Sequence, residues 1–394
     1  MKSIVLAAAV LGIATAALAE PVTIGVVDDM SGVYADFNGP GLITAVKMAI
    51  EQKGGQVLGR KIEVVSIDPE EKPINAATAV GKWIDEDHAS MILEGTTSAI
   101  ALAIQNVAEQ KKTIFFALSG TSALTNESCS AYGIQYMWNN YAMAHGVGNA
   151  EAKPGDKWFF LTADYTFGKT LEAETAGVVT AAGAKVVGSV NHPLASSDFS
   201  SYLLQAQSVG STVLGLANAG RDTQNALLQA HDFHMDGAGM KIQPLIMFDT
   251  DVRGVGLPTA QGIQYLTGFY WDQSDAARRW SQAFFERQHS MPTMNQAGAY
   301  SATLEYLNAA EKAGSFDADK VRAALGTMPI DDPAVAHGTI RDNGSLAHDM
   351  FLMQVKAPAE SHDRWDIAKT IRTIPANQAF QPLEDSTCKL LKHS

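Results

Sequence analysis

Two short loops rich in hydroxyl side chains are the strongest candidates for chemistry in this 394-residue sequence. Each follows an apolar segment, and their small polar residues are, in order, Thr96, Thr97, Ser98, Ser119, Gly120 and Thr121. Hydroxyl groups, backbone N–H groups and the positive end of a helix together favour a carboxylate. Serine and threonine also cap helices without binding a ligand, so Ser98 alone is ambiguous. Two such loops in succession favour an anion-binding site.

Five aromatic side chains lie in or beside polar segments and outside the periodic apolar runs: Tyr34, Phe37, Tyr165, Phe167 and Trp271. In a cleft they would supply apolar walls for a small ligand, although core packing explains some of them equally well. Arg221 follows Gly220 at the end of a predicted strand, where its guanidinium could pair with a ligand carboxylate. A salt bridge to Asp222 is the alternative.

Signatures of enzymes are absent from the sequence, which has no GxSxG, GxxxxGK[ST] or HExxH pattern. His231 and His234 stand three residues apart at the end of an amphipathic helix, where a solvated helix end explains them better than a metal site. The adjacent carboxylates Asp28 and Asp29 need not face a common point. We therefore expect a protein without catalytic activity, cofactor or metal.

The elements that position the first loops alternate between strand and helix. Apolar runs at residues 22–27, 61–67, 90–93 and 113–118 predict strands, and periodic segments after Pro40, at 75–84 and from Ser98 predict helices. This alternation is typical of a parallel sheet with right-handed crossovers. Ligands of such sheets bind outside the carboxyl ends of the strands, which is where the hydroxyl loops and the Tyr34–Phe37 loop fall.

The same pattern starts again at Lys157. Strands are predicted at 157–161, 185–190, 212–216 and 245–248, with helices to about Ala182, at 199–207 and through Ala230. The loops that follow the last two strands contain Asn218 and Arg221, and Asp249 and Thr250. Residues 276–325 are predicted to be mainly helical, and 350–355 to form a strand. Two α/β halves of one kind follow from this pattern.

Composition and the first residues indicate an exported protein. Residues 1–19 have one lysine, an apolar core and the small-x-small ending Ala17-Leu18-Ala19, which is typical of a secretory signal peptide cut before Glu20. A retained membrane anchor is the alternative, but the apolar run is short for a span. The formal charge of −13, without a basic cluster, argues against nucleic acid as a partner.

Cys129 and Cys388 are the two cysteines of the sequence. In an oxidising exported compartment two cysteines usually pair, which would fix the C-terminal tail to the first half of the chain. Two free thiols are the alternative.

Several of these segments resemble the leucine/isoleucine/valine-binding-protein family, the type I periplasmic receptors of ABC importers. The similar segments are DMSGVYADFNGPG, EGTTSA, LTADYTFG and HGTIRDNGSLAHDMFLMQV. The resemblance implies two α/β lobes that are joined by three hinge crossovers, near Asn140, Phe269 and Leu346, and that close on a ligand. One lobe would contain residues 20–140 with 270–346, and the other residues 141–269 with 347–394. It also implies a periplasmic monomer that works with an ABC permease in the inner membrane.

The resemblance also assigns roles to single residues. The family's carboxylate-binding hydroxyls correspond to Thr96 or Thr97 and to Gly120 with Thr121, and its aromatic residues to Phe37 and to Tyr165 or Phe167. The glutamate that binds an α-ammonium group in the branched-chain amino acid receptors is replaced by Asp249 or Thr250. The tyrosine-rich loop of those receptors is replaced by the segment that contains Asn218 and Arg221.

These departures make the sequence more similar to the subgroup that binds aromatic carboxylates, in which the two cysteines also recur. We therefore predict a receptor for a small organic acid, and the resemblance to this subgroup implies that the acid is an aromatic carboxylate. A receptor for a branched-chain amino acid or an amide, a sensory receptor and an enzyme on the same fold are the alternatives.

Overall fold

The computed structural model of the chain describes residues 20–235 and 239–391. The predicted signal peptide at residues 1–19 lies outside the described residues. Strands and helices alternate through most of the described chain and form two separate parallel sheets, each at the centre of one lobe. The predicted α/β fold class is confirmed.

The first sheet forms early in the chain. Its elements are β1 (Val22–Asp28), α1 (Gly39–Gln52), β2 (Gln56–Val57), β3 (Arg60–Ile67), α2 (Pro73–Asp85), β4 (Ala89–Gly95), α3 (Ser98–Lys111), β5 (Ile114–Ala117) and β6 (Gly133–Gln135). The strand order is β2-β3-β1-β4-β5-β6, and all pairs except β2 with β3 are parallel. All seven residues of β1 are buried, as expected for a central strand covered by helices on both faces. We call this part of the molecule the six-stranded lobe.

The second sheet belongs to what we call the four-stranded lobe. Its elements are α4 (Asn140–Glu151), β7 (Lys157–Ala163), α5 (Thr166–Ala181), β8 (Lys185–His192), α6 (Ser200–Ser208), β9 (Val213–Ala217), α7 (Arg221–Asp232), β10 (Lys241–Pro244), α8 (Asp249–Val255) and α9 (Leu257–Ala260). The strands are parallel in the order β10-β9-β7-β8. Gly25 of β1 and Gly215 of β9 leave space for the rings of Trp83 and Phe160, which a Cβ atom would meet at less than 3 Å.

The rest of the chain adds a helical segment and a small antiparallel sheet. Its elements are β11 (Gln264–Thr267), α10 (Asp275–Gln288), α11 (Met294–Ala313), α12 (Ala318–Leu325), β12 (Thr339–Ile340), β13 (Leu346–Ala347), β14 (Met350–Val355), β15 (Ala368–Ile374) and α13 (Ala376–Ala379). Strand β14 lies between β11 and β15. The start of α11 is fixed to the six-stranded lobe because Thr293 donates to the carbonyl oxygen of Phe37 at 2.7 Å and Gln296 to that of Asn38 at 2.9 Å.

The prediction of a strand at residues 245–248 is wrong. Strand β10 covers the four preceding residues, and Leu245 to Phe248 form an irregular segment that leads into α8. All four of these apolar residues are nevertheless buried, so hydrophobicity alone could not separate a strand from a buried connection. Asp249 and Thr250, which we expected in a loop, consequently form the first turn of a helix.

The predicted disulfide between Cys129 and Cys388 is confirmed, with a Cα–Cα distance of 5.6 Å that is normal for such a bond. Ser386 donates to the carbonyl oxygen of Thr125 at 3.1 Å, so the tail is held beside the bond as well. None of the helices in the described ranges is sufficiently long and apolar to cross a bilayer. The lobe boundaries near Asn140, Phe269 and Leu346 stay a prediction.

Candidate ligand-binding site

The loops that follow the strands of the two lobes face each other across a cleft. They enclose a cavity of about 20 Å³, which has room for about one water molecule. It is lined by Tyr34, Phe37, Thr96, Ser98, Leu118, Ser119, Gly120, Trp138, Tyr165, Phe167, Ala219, Phe248 and Asn295. None of these described lining residues has a charged side chain. The cleft is therefore closed, and its wall is aromatic on both sides with hydroxyl groups at one end.

The hydroxyl end of the cavity lies at the N-terminus of α3. Thr97 is the N-cap residue, yet its side chain makes no capping hydrogen bond. Ser98 Oγ and Thr121 Oγ1 are buried and have no hydrogen-bond partner among the described residues. The capping explanation for these hydroxyls is therefore not supported by their geometry. Ser98 lines the cavity, and a buried donor without a partner at the positive end of a helix suits an anion, whereas Thr97 and Thr121 lie outside the cavity lining.

Behind these hydroxyls lies a carboxylate that our sequence reasoning missed. Glu94 is the residue before the last of β4 and is fully buried. Ser119 donates its hydroxyl hydrogen to Glu94 at 2.8 Å, and Thr96 donates both its hydroxyl and its backbone N–H at 2.5 Å. Burial raises the pKa of Glu94 to about 7, although these hydrogen bonds oppose that shift. The sequence feature that could have indicated this buried carboxylate is the glutamate in the otherwise apolar segment MILEG.

The aromatic end of the cavity is formed by rings from both lobes. Phe37 of the six-stranded lobe stacks on Phe248 of the four-stranded lobe, with ring centroids 3.9 Å apart and planes 5° apart. The Trp138 ring meets Phe248 and Phe167 edge to face. Trp138 Nε1 donates to Asn295 Oδ1 at 2.8 Å, which fixes the indole. Phe248, Trp138 and Asn295 were not among the predicted site residues.

Gly120 has a steric role in this wall. A Cβ atom at this position would lie 2.1 Å from the Trp138 ring, so any larger residue would displace the indole.

At the rim of the cleft the lobes contact each other directly. The hydroxyl groups of Tyr34 and Tyr165 are hydrogen-bonded across it. The backbone N–H of Arg221 donates to the carbonyl oxygen of Val33 at 3.3 Å. The guanidinium of Arg221 is half exposed and lies 3.6 Å from the carboxylate of Asp36, so in this conformation it bridges the rim and does not line the cavity.

The remaining predicted site residues lie outside the cavity lining. The amide of Asn218 is bonded within its own lobe, to Thr223 at 2.8 Å and to His192 at 3.0 Å. Trp271 donates to the carbonyl oxygen of Trp365 at 2.9 Å.

Asp249 accepts a hydrogen bond from the Tyr265 hydroxyl at 2.9 Å, and burial raises its pKa to about 7. Thr250 follows it in the first turn of α8, and its hydroxyl is buried without a partner among the described residues. His231 and His234 are exposed, and no group of metal-ligand type occurs in the described parts of the chain.

Comparison with known proteins places this geometry in a family. Residues 21–362 match the family model described as periplasmic binding protein. No curated protein matches the chain significantly.

Solved structures agree with this match. A periplasmic binding protein from Burkholderia mallei is 46% identical, with a TM-score of 0.91 over 94% of this chain and 99% of that one. A branched-chain amino acid ABC transporter periplasmic ligand-binding protein from Burkholderia xenovorans is 37% identical, with a TM-score of 0.83 over 94% and 99%. An ABC transporter solute-binding protein from Rhodopseudomonas palustris, in complex with 3,4-dihydroxybenzoic acid, is 22% identical with a TM-score of 0.80 over 90% and 98%, which shows a common fold.

Proposed function

The chain belongs to the periplasmic binding protein family, and we propose that it captures a small aromatic carboxylate between its lobes and delivers it to an ABC permease. The observation that carries this proposal is the composition of the cavity wall. The buried hydroxyl of Ser98, which has no partner among the described residues, lies at the N-terminus of α3, and stacked aromatic rings line the same cavity. A carboxylate suits the first end and a planar ring the second.

The Phe37–Phe248 pair supports a planar ligand. In this structure the Phe248 ring stacks face to face on the Phe37 ring. Because the cavity has room for about one water molecule, a ligand ring needs space that one of these two side chains fills. We propose that the ligand displaces Phe248. The Phe37 backbone is bonded to Tyr34 and Thr293, and the Phe248 backbone to Asp251 and Val252, so we propose that the Phe248 ring leaves by rotation of its side chain or by opening of the lobes.

The expected affinity follows from these contacts. Burial of an apolar ring contributes roughly 1.5–3 kcal/mol. A hydrogen bond to a charged group contributes roughly 1.5–3 kcal/mol, and the site offers the Ser98 hydroxyl and backbone N–H groups of α3. Micromolar binding, about −8 kcal/mol, is then within reach of a ring and a few such bonds.

Isothermal titration calorimetry with matched compounds tests the proposal. Benzoate should bind, whereas benzamide, which has the ring without the charge, and cyclohexanecarboxylate, which has the charge without a planar ring, should bind at least about tenfold more weakly. Equal affinity for benzoate and benzamide would reject the carboxylate site. Equal affinity for benzoate and cyclohexanecarboxylate would reject stacking of the ligand ring on Phe37.

A branched-chain amino acid receptor is the second candidate, because the name of the 37% identical relative from Burkholderia xenovorans points to it. An α-ammonium group would need an acceptor of negative charge, and the described cavity lining has no charged side chain. Leucine in the same titration separates the two candidates. Binding of leucine without binding of benzoate would establish the amino acid receptor.

A further inference from the structure

Glu94 occupies an unusual place for a site that takes up an anion. Its side chain is fully buried directly behind Thr96 and Ser119, which both line the cavity. Ser119 Oγ lies 2.8 Å from one carboxylate oxygen of Glu94 and 2.9 Å from the other. A hydroxyl has one hydrogen to donate, and Glu94 as a carboxylate takes it. Ser119 then faces the cavity with lone pairs only, and these repel an anionic head group.

The surroundings of Glu94 do not compensate its charge. The ionisable groups that interact with it from neighbouring elements are all acids: Asp28 at the end of β1, Glu71 between β3 and α2, and Tyr165 from the other lobe. The end of β5 and the start of α3 contribute the uncharged Ser119, Thr97 and Ser98. Two carboxylates close together in a site that excludes water cannot both stay ionised at low cost. An incoming carboxylate therefore favours the protonated form of Glu94.

Protonation also reverses the polarity of Ser119. A neutral Glu94 has an O–H group that can donate to Ser119 Oγ. The Ser119 hydrogen is then released from Glu94 and can turn to the ligand, with the carbonyl oxygen of Thr96 at 3.2 Å as the competing acceptor, so the repelling group becomes a donor. The proton comes from the solvent and balances the negative charge that the ligand brings into the cleft.

We propose that Glu94 is a specificity-determining residue, which takes up one proton when an anionic head group binds and thereby turns the Ser119 hydroxyl towards the ligand. This inference rests on the proposed function, because it needs a carboxylate as ligand. It goes beyond that function in making uptake of the acid depend on a proton.

Calorimetry with benzoate at pH 6 and pH 8, in buffers of different ionisation enthalpy, measures the protons taken up with the ligand. Burial already raises the pKa of Glu94 to about 7. Glu94 is therefore mostly protonated at pH 6 and mostly ionised at pH 8. We expect almost no proton uptake at pH 6 and nearly one proton per benzoate at pH 8. The affinity should be roughly tenfold weaker at pH 8.

Glu94→Gln imitates the protonated side chain and should bind benzoate with the same affinity at both pH values, without proton uptake. Glu71→Gln is the matched control. Glu71 belongs to the same acidic group, and burial also raises its pKa to about 7, but it does not line the cavity. It should keep the wild-type proton uptake. Should Glu94→Gln fail to fold, Ser119→Ala gives a second test, with weaker binding and a smaller pH dependence.

The outcomes distinguish failure of the proposed role of Glu94 from failure of the proposed function. Binding of benzoate without proton uptake at pH 8, or unchanged uptake in Glu94→Gln, overturns this inference and leaves the proposed function intact. Loss of all benzoate binding in a folded Glu94→Gln variant also overturns it, since binding would then require the ionisable carboxyl group itself and not its protonated form, which glutamine imitates. Failure of every aromatic acid to bind the wild type overturns the proposed function and this inference with it.

Discussion

Replacement of Gly220 by alanine should weaken ligand binding because it hinders closure of the lobes. Gly220 precedes α7 with φ of +60° and ψ of −134°, a conformation that side chains with a Cβ atom rarely adopt. A Cβ atom here would lie 2.5 Å from the carbonyl oxygen of Val33 on the opposite lobe. The substitution therefore has two effects, one within the four-stranded lobe and one between the lobes.

The two effects differ in what they change. Backbone strain at such a residue costs about 1–3 kcal/mol and lowers the free energy of unfolding whether the cleft is open or closed. The contact with Val33 acts only in the closed form. Normal C···O contacts begin at about 3.3 Å, so the lobes would have to separate by nearly 1 Å. That movement breaks the Arg221–Val33 hydrogen bond, now 3.3 Å long.

A hydrogen bond contributes about 0.5–1.5 kcal/mol, and the lost van der Waals contacts at the rim add to it. We expect closure to become less favourable by about 1–3 kcal/mol, which weakens ligand binding roughly 5- to 150-fold. Calorimetry with benzoate measures this loss, and small-angle X-ray scattering measures the closed fraction.

Gly210→Ala is the matched control for the backbone strain. Gly210 lies in the same lobe with φ of +66°, and a Cβ atom there would meet no atom within 4 Å. This variant should lose stability but keep the affinity of the wild type. If both glycine variants bind benzoate equally well, the Gly220–Val33 contact does not control binding and the reasoning is refuted.

Three further predictions concern the Phe37–Phe248 stack, the disulfide of the C-terminal tail and the buried Asp249. Phe37→Ala should weaken benzoate binding by more than about tenfold, whereas Phe248→Ala should preserve or tighten it by removing the competing ring; equal losses in calorimetry would contradict the displacement of Phe248. Replacing both Cys129 and Cys388 by serine should lower the free energy of unfolding by about 2–5 kcal/mol, and an unchanged denaturation curve would contradict this. Burial raises the pKa of Asp249 to about 7, so the folded protein holds this proton more tightly than the unfolded chain does. The resulting stabilisation is present below about pH 4 and is lost as the pH rises through about 7, and Asp249→Asn should reduce that loss by on the order of 1–3 kcal/mol in denaturant titrations.

The sequence identified the parts of the site that local patterns specify. Hydroxyl groups after β4 and β5 and aromatic residues after β1 and β7 follow directly from the alternation of strands and helices. Tyr34, Phe37, Ser98, Tyr165 and Phe167 all line the cavity. Each lies in the loop or at the start of the helix that follows a parallel strand, which is where the topology of such sheets places ligands.

The parts that were missed depend on contacts distant in sequence. Phe248 lies at the end of an apolar run that we interpreted as a strand, and Trp138 lies in a connection between the sheets. Asn295 is brought to the cleft by α11, whose start is bonded to the loop before α1. Arg221 was expected to face the ligand, but the closed rim pairs it with Asp36. Such arrangements are set by how the lobes meet, which no local pattern encodes.

The closed cleft has a consequence for how affinity should be interpreted. Its walls contact each other through the Phe37–Phe248 stack and the Tyr34–Tyr165 hydrogen bond, so a ligand must replace these contacts before it contributes net stability. An aromatic stack alone is worth about 0.5–1.5 kcal/mol beyond its buried area. The measured affinity of any ligand is therefore lower than the strength of its own contacts implies. A ligand that offers a planar ring recovers the stack that it breaks, whereas an aliphatic chain of equal volume does not. We therefore expect the closed form itself to favour aromatic over aliphatic acids, because a ligand has to match the contact that the Phe248 ring makes with Phe37.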